Sequence, residues 1–140
     1  MIGLILTGHG QYASGLKSGL NLVVGDLANV RAIDFEGDRI DAYKVKLKEI
    51  ISEMLEKYES LAIATDIAGG TPYNTAVTLT NEDQRVMVFS GLNFQLAYEL
   101  SNLESDVKSY ADEAIRVAKD GVSYFVMNYD DEDTSFEGGI

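Results

Sequence analysis

The only histidine of the chain, His9, stands between Gly8 and Gly10 where the apolar run MIGLILT ends. Imidazole is the one side chain whose unperturbed pKa lets it serve as a neutral nucleophile or a base near neutral pH. Glycine on either side lets the backbone turn sharply and leaves the ring accessible. Farther along, Asp66 closes a second apolar run, and Gly69-Gly70-Thr71-Pro72 follows almost at once. A carboxylate that accepts a hydrogen bond from one ring nitrogen fixes the tautomer and leaves the other nitrogen's lone pair free to attack. The same carboxylate stabilises the positive charge that grows on the ring as a bond forms. The two glycines let backbone N–H groups approach an anion closely, and a helix N-terminus adds favourable partial charge. Thr71 suits the N-cap of that helix and Pro72 its first turn position.

Taken singly, each feature has a plain alternative: a polar loop histidine, a loop aspartate, an ordinary capped helix. Taken together, a nucleophilic imidazole, an orienting carboxylate and a phosphate-sized cradle without a Walker lysine point to phosphoryl transfer through a phosphohistidine. Ser14, Thr65 and Asn74 are candidate hydroxyl or amide helpers. A serine hydrolase fits less well, since no Gly-x-Ser-x-Gly elbow is present. A phosphoaspartate receiver would need an acidic cluster after the first strand, where this chain has Thr-Gly-His-Gly.

The elements that must position these residues follow from hydrophobic periodicity. Strands are expected at Ile2–Thr7, Val30–Phe35, Leu61–Thr65, Arg85–Ser90 and, last, Val122–Asn128. Between them, Tyr12, Leu16, Leu20 and Val23 recur at helical spacing before Gly25. Asp38 offers an N-cap for a long helix carrying Tyr43, Leu47, Ile50, Ile51, Met54 and Leu55 on one face. Further helices run from Thr71 to about Leu79, from about Asn93 toward Leu103, and through Val107 to Gly121. Strands alternating with helices of this length mean βαβ units and a mostly parallel sheet, covered on both faces by right-handed crossovers. The expected fold is a single doubly wound three-layer α/β domain of strand order 2-1-3-4. Its ligand site lies at the carboxyl ends of the strands, where His9 and Asp66 become neighbours.

Composition narrows the partners. With 23 acidic against 11 basic residues, the net charge is −12. That excludes a nucleic-acid surface and disfavours anionic membranes, while permitting a basic protein partner. The absence of cysteine removes disulfides and thiolate metal sites, and one histidine removes a multi-histidine metal site; no cofactor is called for. No apolar run is long enough to span a bilayer and no basic segment precedes the first strand, so a cytoplasmic protein without a signal peptide is expected. The last segment, 129–140, is acidic through Asp130-Asp131-Glu132-Asp133 and reads as a solvated tail beyond a domain at 1–128.

Three stretches, ILTGHGQYASGL around His9, ATDIAGGTPYNTA from Ala64 and SGLNFQLAYEL from Ser90, together resemble the IIA (EIIA) component of mannose-type sugar phosphotransferase systems. The resemblance covers roughly the first 125 residues. It implies a cytoplasmic phosphocarrier in which His9 accepts a phosphoryl group from the phosphohistidine of HPr and passes it to the EIIB component. Asp66 would orient the ring, and Thr71 with the backbone at Gly8, Gly69 and Gly70 would bind the phosphoryl oxygens. It also implies a homodimer in which the strand Val122–Asn128 joins the partner's sheet, and membrane association only through the permease complex. The family often has threonine directly before the histidine, where this chain has Gly8, and proline where Gln95 follows Phe94. The TGHG opening and the AKDGVSYF ending look most like the N-acetylgalactosamine or galactosamine branch. A phosphocarrier domain serving dihydroxyacetone kinase, or a non-enzymatic anion-binding regulatory module, are the alternatives.

Overall fold

The computed structural model describes residues 1–127. Its element order is β1 (Gly3–His9), α1 (Tyr12–Val24), β2 (Val30–Phe35), α2 (Ile40–Lys57), β3 (Leu61–Thr65), α3 (Thr71–Thr80), β4 (Val86–Phe89), α4 (Phe94–Ser101) and α5 (Val107–Asp120). The four strands form one all-parallel sheet in the order β2-β1-β3-β4, the order expected from sequence. The central strands β1 and β3 are buried along nearly their whole length, because helices cover both faces of a parallel sheet.

Alternation along the strands divides the core in two. Leu4, Leu6, Ala62, Ala64 and Phe89 point to one face and pack against α1, α4 and α5 through Leu20, Leu96, Leu100, Val107 and Ala114. Ile5, Ile33, Leu61, Ile63 and Val86 point to the other, where Tyr43, Leu47, Ile50 and Met54 of α2 and Ala76 of α3 cover them. The large side chains of both clusters are nearly inaccessible to water, so each contributes about 1.5–3 kcal/mol relative to exposure. This three-layer frame fixes the register that matters for chemistry. Thr7 pairs with Thr65 and His9 with Phe35, so the residue after β3, Asp66, emerges beside Gly8 and His9.

Several boundaries differ from the sequence expectation. Strand β1 runs on to His9, because Gly8 and His9 still pair with Asp34 and Phe35 of β2. The long helix starts at Ile40, with Arg39 rather than Asp38 at its N-cap, and its first bond runs from the Tyr43 N–H to the Arg39 carbonyl at 3.0 Å. Gly37 occupies the left-handed region (φ 92°), and the helix begins one residue later than Asp38 as N-cap would place it.

The largest correction concerns the end of the chain. Val122–Met127 forms no strand; helix α5 closes when the Gly121 N–H bonds the carbonyls of Val117 and Ala118. The segment beyond leaves Val122, Tyr124, Val126 and Met127 exposed. Its β-rich composition records only that it would fit a pleated surface, and among the described residues it pairs with neither edge strand, β2 or β4. The last residue of the expected strand, Asn128, and the acidic tail 129–140 lie outside the described residues. Gln95, where the sequence departs from the family pattern, packs on the α5 terminus: a Cβ at Gly121 would lie 2.3 Å from its Cγ.

Candidate functional site

Three short segments meet at the carboxyl edge of the sheet: the end of β1, the turn after β3 and the start of α3. The His9 ring is half-exposed, and its Nδ1 lies 2.7 Å from Asp66 Oδ2. The same oxygen accepts the His9 backbone N–H at 2.9 Å, and Asp66 Oδ1 accepts the Ile67 N–H, also at 2.9 Å. Burial pushes the Asp66 carboxyl up, but the His9 backbone and ring bonds, the imidazole's charge and the Ile67 bond outweigh it and hold the group below its ordinary value. Asp66 is therefore a carboxylate that can only accept. In the neutral ring Nδ1 must then carry the proton, and the lone pair stands on Nε2, which has no protein partner among the described residues.

Glycine makes this approach possible. A Cβ on Gly8 would lie 3.0 Å from Asp66 Cγ and 3.2 Å from Oδ2, so a side chain at position 8 would press the carboxylate back by a few tenths of an ångström. A Cβ on Gly70 would lie 2.7 Å from His9 Cε1, closer than real contacts allow. Gly69 turns the chain between these two in the left-handed region (φ 83°).

The start of α3 corrects the capping expectation by one residue. Gly70 is the N-cap, its carbonyl accepting the Asn74 N–H at 2.9 Å, which places Thr71 inside the first turn. The Asn74 side chain ties the loop back to the helix by donating to the Gly69 carbonyl at 3.0 Å. The N–H groups of Thr71 and Tyr73 find no acceptor among the described residues, and Pro72 has none to offer. Two unpaired donors and a helix terminus beside a nucleophilic ring form a cradle for a small anion.

The neighbouring helix start is not free in this way. Asp34 of β2 accepts the Ser14 backbone N–H at 3.0 Å and the Ser14 Oγ at 2.6 Å, setting a carboxylate at the N-terminus of α1. Of the expected helpers, Ser14 is thus committed to Asp34, and Thr65 donates to the Phe89 carbonyl at 2.7 Å inside the core. Only Asn74 borders the cradle. Among the described residues no cluster of three or more His, Asp or Glu could hold a metal ion.

Aromatic residues that sequence reasoning did not select for the site pack near the end of β1. Phe35 meets His9 edge-to-face, ring centroids 5.7 Å apart at 70°. Tyr43 backs Phe35 at 5.0 Å, and its hydroxyl lies 2.6 Å from Thr7 Oγ1. Tyr12 spans from α1 to the loop before α4, its hydroxyl donating to the Leu92 carbonyl. A cleft of about 310 Å³ opens next to the cradle between α2 and α3, lined by Ile40, Lys44, Thr71 and Asn74 among others.

Known proteins share this chain's fold and much of its sequence. Residues 3–118 match the family described as the phosphotransferase system fructose IIA component. The chain is 34% identical over 104 residues to the fructose-specific EIIA component of Bacillus subtilis, an alignment covering 74% of this chain and 70% of that protein. It is 32% identical over 101 residues to the sorbose-specific EIIA component of Klebsiella pneumoniae, covering 71% and 73%. Among solved structures, the IIA protein associated with the fucose utilization operon of Streptococcus pneumoniae superposes with a TM-score of 0.80 at 26% identity, over 87% of this chain and 91% of that one.

Proposed function

Since the chain belongs to the fructose/mannose-type IIA components of the sugar phosphotransferase system and is a phosphocarrier of such a system, we propose that Nε2 of His9 is the atom that carries the phosphoryl group. The observation that carries this reading is the 2.7 Å contact between His9 Nδ1 and the ionised Asp66, which leaves the nucleophilic lone pair on the outward nitrogen.

In the forward step the Nε2 lone pair attacks phosphorus on a donor phosphohistidine. The donor's P–N bond breaks and its electron pair returns to the donor imidazole. Positive charge grows on the His9 ring and is met by Asp66, while Nδ1 keeps its proton throughout. The phosphoryl oxygens rest on the free N–H groups at the start of α3, with Gly69 and Gly70 allowing the approach and the Thr71 hydroxyl beside them. Transfer to the next carrier is the reverse of the same step. Histidine-to-histidine exchange requires little driving force, so the site's task is alignment and charge stabilisation.

HPr is the proposed donor and the EIIB component the proposed acceptor. No helix among the described residues is long and apolar enough to cross a membrane. A cytoplasmic place, with membrane contact only through the permease, follows from the role proposed. A homodimer is also proposed, in which the exposed, β-rich segment Val122–Met127 joins the partner's sheet. The galactosamine-type branch rests on the sequence motifs alone. Reconstitution with phosphoenolpyruvate, enzyme I and HPr, followed by intact mass, tests the function. The wild-type chain should gain one phosphoryl group and lose it to added EIIB, and His9→Gln should gain none. Equal labelling of the variant would overturn the assignment.

A further inference from the structure

Asp66 explains the tautomer of His9 but not the pose of the ring. A single hydrogen bond at Nδ1 leaves the imidazole free to swing about that contact, and a half-exposed side chain has room to do so. What limits the swing is packing on both flanks. From the β3 side Gly70 lies under Cε1 so closely that a Cβ there would be 2.7 Å away. From the β2 side the edge-to-face contact with Phe35, at 5.7 Å and 70°, blocks the other direction.

Phe35 is itself fixed. It is only 5% exposed, and Tyr43 of α2 lies against it at 5.0 Å and 55°. The Thr7 hydroxyl donates to the Ile33 carbonyl at 2.8 Å, which uses its one proton. The Tyr43 hydroxyl, 2.6 Å from Thr7 Oγ1, must therefore be the donor in that pair. The chain of contacts closes on itself: Thr7 and His9 belong to β1, Ile33 and Phe35 to β2, and Tyr43 fastens α2 to both.

We propose that Phe35, backed by the Tyr43–Thr7 pair, is a positioning residue that holds the His9 imidazole against Gly70 with Nε2 aimed at the incoming phosphorus. Building on the assignment of His9 as carrier, it adds a second constraint that Asp66 cannot supply. Edge-to-face ring contacts of this kind alter equilibria by about threefold to tenfold, and phosphoryl transfer between two rings is sensitive to sub-ångström alignment.

The test compares Phe35→Leu, which keeps apolar bulk but removes the ring, with Phe35→Tyr, which restores it. Two readouts are needed: single-turnover transfer from phospho-HPr over a range of donor concentrations, and nitrogen-15 spectra of the imidazole, where a single histidine gives a single unobstructed pair of signals. Phe35→Leu should slow the saturated rate about threefold to tenfold with the donor KM within twofold. Its Nδ1 and Nε2 shifts should move toward each other as the ring loosens from Asp66. Phe35→Tyr should stay within twofold of wild type in rate, with unchanged shifts. Wild-type rate and shifts in Phe35→Leu, or a Phe35→Tyr protein as slow as Phe35→Leu, would overturn the proposal. The imidazole spectrum reads how firmly the ring is held on Asp66 whether or not His9 takes phosphate, so failure of the carrier assignment remains distinguishable.

Discussion

Asp66→Asn gives the sharpest perturbation, because the geometry leaves the amide no good orientation. The carboxylate accepts three hydrogen bonds: two on Oδ2 from His9 and one on Oδ1 from Ile67. If the amide oxygen faces His9, its NH2 group faces the Ile67 N–H, donor against donor. If the amide turns over, NH2 faces the His9 N–H and also donates to Nδ1. That drives the ring proton to Nε2 and removes the lone pair that must attack. Either way the negative charge opposite the developing imidazolium is gone. Loss of an oriented charge and enrichment of the wrong tautomer together should slow transfer on the order of 10²- to 10³-fold. The fold should survive. One charge-assisted network at the sheet edge costs about 1–2 kcal/mol, or about 3–8 °C in Tm for a chain of this length. Rapid-quench transfer from phospho-HPr with calorimetry on the same sample separates the two effects. A variant with wild-type rate would refute the reasoning, as would one whose slow transfer is matched by wholesale unfolding.

Gly70→Ala should fold normally but transfer at least about tenfold more slowly, because the new Cβ would sit 2.7 Å from His9 Cε1 and must displace the ring; single-turnover rates and circular dichroism check both halves. Asp66's folded-state pKa lies below its unfolded value of 3.8, so its stabilisation is complete above that value and is lost as pH falls through the folded one. Urea titrations from pH 6 downward should show wild type and Asp66→Asn converging only in the acid range, about pH 4 and below; a constant gap down to pH 2 would contradict the shift. Ending the chain after Gly121 removes the exposed segment Val122–Met127, and the remaining domain should keep its Tm within about 2 °C while sedimentation shows a monomer. A truncated chain that remains dimeric would show that Val122–Met127 does not hold subunits together.

The arrangement of this site was legible because it is written in local signals. A glycine-flanked histidine and an aspartate each close an apolar run, and the strand order of a doubly wound sheet brings those two ends together. The Gly-Gly-Thr-Pro start of α3 was legible for the same reason, although its cap fell on Gly70, since backbone geometry and not residue preference decides which carbonyl begins the ladder. Phe35 and Tyr43 were visible only as apolar periodicity. Their contact with His9 depends on the pairing of His9 with Phe35 and on where α2 crosses the sheet, neither of which a linear pattern encodes. Asp34 was hidden likewise: its bond to the start of α1 joins residues twenty apart through the register of two strands. The expected last strand shows the opposite error. VSYFVM has every local preference for a strand, but pairing needs an edge, and composition cannot provide one.

The central claim is that the phosphoryl group resides on Nε2 of His9 while Nδ1 keeps its proton for Asp66. Phosphorylating the nitrogen-15-labelled chain through phosphoenolpyruvate, enzyme I and HPr, then recording phosphorus–nitrogen coupling at alkaline pH, reads this directly. The account predicts one phosphorus signal coupled to Nε2, with the Nδ1 proton still present and hydrogen-bonded. Coupling to Nδ1, or phosphate attached to any residue other than His9, would contradict it.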